Sequence, residues 1–168
     1  MTARIKSGAL VISRMKKIFK IIAIVLFIAF VVIQFYRPAK TNPPIVEGET
    51  LEATTQVPET VGKILSRSCN DCHTNNSNYP WYSEVAPMSW GVIDHINEGR
   101  GELNFSTWAT YNLKRKKHKL EEICEMVTSG EMPHYQYLWI HREAKLSEAD
   151  KKTLCDWAEL EKAKLPQI

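Results

Sequence analysis

Cys69-Asn70-Asp71-Cys72-His73 is a single C-x-x-C-H. Two thiols at this spacing can bond to the two vinyl groups on one side of a porphyrin. The residue that follows then brings an imidazole under the iron. The pattern therefore marks Cys69 and Cys72 as thioether anchors, and His73 as proximal iron ligand, of one covalently attached haem c. Two other chemistries use C-x-x-C. A thioredoxin-like dithiol sits in a βαβ context, and no strand-rich pattern flanks this pair. A zinc ribbon takes a second close cysteine pair, whereas Cys124 and Cys155 are far apart in sequence.

The sixth position of such an iron has a candidate in Gly130-Glu131-Met132-Pro133. Most methionines fill cores. Met132 instead stands between a helix-ending glycine and a proline, off any helical apolar stripe. A thioether held in such a loop can reach haem iron from the face opposite the histidine. Met132 is the expected distal ligand and Met88 its rival. His134 and His141, then His118 and His95, are the bis-histidine alternatives.

Helices are expected on both sides of the motif. Val61, Ile64, Leu65 and Ser68 share one face of a helix opened by Pro58. Thr74 to Ser83 reads as a loop carrying Tyr79, Trp81 and Tyr82, either as core plugs or as haem walls. Trp90, Ile93 and Ile96 stripe a helix from Pro87 to about Gly99, where Gly99, Gly101 and Asn104 are expected to end it. Leu113 to Ser129 is a third helix stopped by Gly130. The run Lys114 to Lys119 near its start reads as a solvated face, with docking to an acidic partner or to haem propionates as the alternative. Ser147 and Asp150 form a capping box for a last helix. Cys124 and Cys155 each fall on an apolar face, so buried thiols are the default, and a disulfide in an oxidising compartment is the alternative.

The chain of 168 residues has room for one modest domain plus a further segment. Its 22 basic and 19 acidic residues are segregated. Arg4, Lys6, Arg14, Lys16, Lys17, Lys20 and Arg37 precede every acidic residue, leaving 15 basic against 19 acidic in the remainder. A mildly acidic body excludes general nucleic-acid affinity, which needs a basic face. Ile18 to Tyr36 has the length and apolarity of an uncleaved membrane anchor. The basic cluster before it keeps the N-terminus cytoplasmic. Met15-Lys16-Lys17 resembles the start of an export segment, so translation is expected to begin at Met15. Residues 38–57, with Pro38, Pro43 and Pro44, read as a flexible linker, and residues 58–168 as the haem domain.

The order of helix, C-x-x-C-H, helices, Met-Pro loop and Leu-Ser-x-x-Asp helix resembles a class I cytochrome c. It is more closely similar to the bacterial haem-binding domain family of small exported c-type cytochrome-like proteins. The shared residues are Cys69-x-x-Cys72-His73-x-Asn75-Asn76, Pro80-Trp81-Tyr82-Ser83, Ala86-Pro87-x-Ser89-Trp90, Asn104-Phe105, Gly130-Glu131-Met132-Pro133, His141 and Leu146 to Trp157. They lie between about residues 58 and 160. His134 departs from the family, which commonly has a second proline there.

The resemblance and the residues together predict a mainly α chain: a transmembrane helix, then a small cytochrome c-like domain wrapped around one covalent haem. Its expected place is the bacterial inner membrane, with the haem domain in the periplasm. Single-electron transfer with redox partner proteins is the expected role, because a six-coordinate His73/Met132 iron leaves no position for substrate. A haem-based sensor or structural haem module is one alternative. A peroxidase-like enzyme is the other, and it needs an open sixth position with a base beside it.

Overall fold

The computed structural model describes residues 2–166, with side chains from residue 12 onward. Met15, the expected start, lies among the described residues, within the first helix. Among the described residues there are helices and 3-10 turns and no strand, in keeping with a mainly α chain. They divide into two compact units, residues up to Ala39 with Pro80–Ile93, and Lys40–Tyr79 with the chain from Asp94 on.

In the first unit, α1 (Thr2–Ile33) leaves the apolar side chains from Ile18 to Val32 exposed. The helix stops at Ile33, short of the expected Tyr36. Gln34 donates to and accepts from the backbone of Ala86, at 3.1 and 2.9 Å. Trp90 donates its indole N–H to the carbonyl of Tyr36, 2.9 Å away. These bonds fix residues 34–36 outside the helix. The 18 residues ending at Ile33 still include Lys16, Lys17 and Lys20, and among the described residues no helix is long and apolar enough to cross a membrane.

The second unit begins earlier than a flexible linker allows. A 3-10 turn at Glu47–Glu49 leads into α2 (Leu51–Thr54), capped by the Thr50 hydroxyl. Leu51 is 0% exposed and belongs to the main core with Val61, Leu65, Phe105, Leu120 and Leu154. Gln56 accepts the indole N–H of Trp157 at 3.0 Å. The expectation of a linker over 38–57 is thus corrected. One buried leucine and backbone carbonyls paired from distant side chains order a segment that has no periodicity of its own.

α3 (Glu59–Ser68) buries Val61, Ile64, Leu65 and Ser68 as expected. It is followed by the single turn α4 (Asn70–His73). α5 (Met88–Glu102) runs through Gly99 and Gly101 instead of stopping there. After a 3-10 stretch at Phe105–Thr110, α6 (Leu113–Ser129) ends at Gly130, whose φ of 82° is the left-handed conformation glycine adopts without strain. α7 (Tyr135–Ile140) is a short helix not foreseen in the sequence, and a 3-10 turn at Arg142–Ala144 follows it. α8 (Glu148–Lys164) carries the full Ser147–Asp150 capping box. α6 and α8 pack together and are joined by a Cys124–Cys155 disulfide, which corrects the default of two buried thiols.

Candidate functional site

The C-x-x-C-H turn is built from the end of α3. Cys69 N–H closes on Leu65 O at 2.8 Å, and the N–H groups of Cys72 and His73 both reach Cys69 O, at 3.1 and 3.0 Å. One turn thereby gathers both thiols and the imidazole. Both thiols are free. Burial, then the neighbouring Cys72, pushes Cys69 up to about 12, against Arg67; burial, then Asp71, pushes Cys72 up to about 11, against Arg100.

His73 is oriented by backbone. Its Nδ1 lies 3.0 Å from Gly99 O and 2.9 Å from Leu103 O. Both partners are acceptors, so Nδ1 carries the proton and Nε2 keeps its lone pair for a metal. Burial lowers the pKa of His73, against the pull of these two bonds. The imidazole is thus held neutral, the form that ligates. The approach of α5 that supplies these carbonyls depends on Gly99, because a Cβ there would lie 2.9 Å from Cys72 O and 3.2 Å from Cys72 Cβ.

Two cavities meet at this turn, of about 220 and about 290 Å³. Cys69, His73, Glu102 and Met132 line both. The first is otherwise largely apolar, with Leu65, Phe105, Ile123, Met126, Val127 and Leu154. The second is closed by Asp71, Cys72, His95, Pro133, His134 and Tyr137. Met132 is 37% exposed, and its own N–H bonds back to Met126 O at 3.1 Å.

Lys119 departs from the solvated face expected of the basic run. Its side chain is 7% exposed, lines the first cavity, and donates to Glu102 at 3.2 Å and Glu122 at 2.5 Å. Burial alone would lower its pKa. The hydrogen bonds to Glu122 and Glu102 more than offset this, so its pKa is raised. Arg115 of the same run donates to Gly101 O and Glu102 O at the end of α5, a partner for otherwise unpaired helix-end carbonyls.

The loop after His73 is held by a buried polar network. Asn75 N–H donates to Ser106 Oγ at 2.9 Å, and Asn104 donates through Nδ2 to Asn75 Oδ1 at 2.8 Å. Arg100 donates to Thr74 O, Ser77 Oγ, Thr41 O and Asn42 Oδ1, all at 2.6–2.7 Å. Tyr79 donates to Thr41 O. Tyr79 lines neither cavity; in the first unit Tyr82 is buried and Trp81 is 76% exposed.

Of the expected iron ligands, His73 and Met132 share both cavities. His134 and His95 line the second, with ring centroids 4.6 Å apart. Burial, then His95, lowers the pKa of His134, against Glu98. His141 lines neither cavity: it stacks on Tyr137 and faces Glu143. His118 lines neither, and Met88 belongs to the first unit. The residues missed in sequence are Gly99, Leu103, Lys119 and Tyr137. Gly99 had a signal, a glycine in register with the helical stripe, that also fits a helix stop.

Residues 28–160 match the model of a family described as haem-binding domain. The match extends back across residues 38–57 into α1, further than the shared motifs reach. No curated protein and no solved structure matches the chain.

Proposed function

The chain belongs to the haem-binding domain family, and we propose that it is a membrane-anchored c-type haem protein that passes single electrons outside the cytoplasm. The residues present fit the group. Cys69 and Cys72 supply two protonated thiols on the turn that ends in His73. His73 keeps Nε2 free, and the adjoining cavity is mostly apolar. Bound there, haem supplies one-electron chemistry. Met132 would be the second iron ligand, and its neutral thioether would favour the ferrous state.

The observation that carries this reading is the meeting of His73 and Met132 in the same two cavities. The Cys124–Cys155 disulfide supports an oxidising compartment such as the periplasm. The exposed apolar side chains of α1 from Ile18 to Val32, preceded by lysines, support attachment to the inner membrane with the N-terminus inside. That stretch is short for a span of about 30 Å. Lys20 therefore has to snorkel, and Phe35 and Tyr36 have to lie in the far interface. Alkaline carbonate extraction tests this: release of the intact protein would exclude the anchor.

One observation favours a second reading. His134 Nδ1 is buried without a partner beside Met132. With Met132 off the iron, that imidazole would be a base next to an open site, as a peroxidase-like enzyme requires. Carbon monoxide added to the reduced protein separates the readings. No binding supports electron transfer, fast binding an open enzyme site, and slow binding with loss of the native ligand a sensor.

A further inference from the structure

We propose that Tyr137 is the positioning residue that holds the Met132 loop against the C-x-x-C-H turn, through its hydrogen bond to Asp71. The inference rests on the reading of Met132 as the sixth ligand. Tyr137 donates its phenol O–H to Asp71 Oδ2 at 2.8 Å, across 66 residues of sequence. Asp71 lies between the two thiols, and Tyr137 lies five residues beyond Met132. Both line the second cavity, with Met132, Pro133 and His134. The arc from Met132 to Tyr137 is pinned at its start by Met132 N–H on Met126 O, and at its end by this phenol.

α7 contributes no buried residue to the core, and it exposes Tyr135, Trp139 and Ile140. Apolar burial therefore does little to hold it, and polar contacts carry more of the task. A hydrogen bond to a carboxylate is the stronger kind. The Tyr137 ring is backed by His141, nearly parallel at 4.3 Å and 15°, and His141 Nδ1 lies 3.1 Å from Glu143. That stack limits where the phenol can reach, and it gives His141 a place in the site without iron ligation.

The test is Tyr137→Phe in the holoprotein. The ring and its stack remain and only the O–H is lost. Haem content should stay at the wild-type level, and carbon monoxide should bind the ferrous protein about tenfold faster, the scale of one lost hydrogen bond to a charged group. The reduction potential should fall. Asp71→Asn keeps an acceptor without its charge and should fall between wild type and Tyr137→Phe. Tyr137→Phe added to Met132→Ala should give no further acceleration, which a merely structural role would not produce. If wild type resists carbon monoxide and Tyr137→Phe resists it equally, the positioning role is wrong. If wild type already binds it at full speed, the Met132 reading fails first and the inference with it.

Discussion

A Cβ placed on Gly99 would sit 2.9 Å from the carbonyl oxygen of Cys72, closer than side-chain carbons come to backbone. Gly99 also offers its own carbonyl to His73 Nδ1. Gly99→Ala must push α5 away from the C-x-x-C-H turn and lengthen that bond. We expect a loss of about 1–3 kcal/mol, the usual cost of overpacking, and reduced haem loading. Urea unfolding and the haem-to-protein absorbance ratio measure both.

Met132→Ala should turn the ferric haem high-spin or water-bound and admit carbon monoxide quickly. Met132→His should keep a low-spin haem at a lower potential, since imidazole stabilises ferric iron more than a thioether does. Optical spectra and potentiometry read the outcome. An unchanged spectrum in Met132→Ala would move attention to His134.

Leu51 lies outside the segment expected to fold, yet it is fully buried. Leu51→Ala should cost roughly 2–5 kcal/mol, as for other core leucines. A denaturation curve identical to wild type would mean that residues 40–57 do not belong to the cooperative unit.

The Cys124–Cys155 bond closes a loop 31 residues long in sequence separation. Its removal by Cys155→Ser should lower stability by about 2–4 kcal/mol. Cys69 and Cys72 take no part in it, so haem attachment should persist. Unfolding of wild type with and without reductant gives an independent value.

Asp150 accepts from Ser147 N–H at 2.9 Å, from the Ser147 hydroxyl and from Arg67, and the Ser147 backbone bond is the first cause of its lowered pKa. A carboxylate depressed on folding stabilises fully above its ordinary value near 3.8, and the contribution disappears as pH falls through the lower folded value. Asp150→Asn should therefore cost about 1 kcal/mol at neutral pH. The two proteins should converge in stability on acidification below that lowered value, and melts taken from pH 7 to pH 2 would show it.

What could be read in the sequence was local. The C-x-x-C-H turn, the glycine stop after Ser129 and the Ser147–Asp150 box each depend on a few adjacent side chains, and the fold contains them as read. What escaped depends on neighbours far along the chain. Gly99 looked like a helix terminator because a glycine near a helix end usually is one; here it makes room for Cys72. Lys119 looked like part of a charged surface, and two glutamates draw it inward. Residues 40–57 looked disordered because Arg100 and Trp157, which pair their carbonyls, come much later. α7 gave no clear signal because it buries no residue.

His73 is braced by two main-chain carbonyls and by no carboxylate. A carbonyl neither ionises nor can be exchanged by a point substitution. The brace itself therefore does not titrate, and a side-chain change reaches it only by moving the main chain, as Gly99→Ala would. The ionisable groups near it are Lys119, Glu102 and Glu122 in the first cavity and Asp71, His95, Glu98 and His134 in the second. Evolution can retune this brace only by bending the main chain between Gly99 and Leu103, a coarse adjustment that resists gradual change.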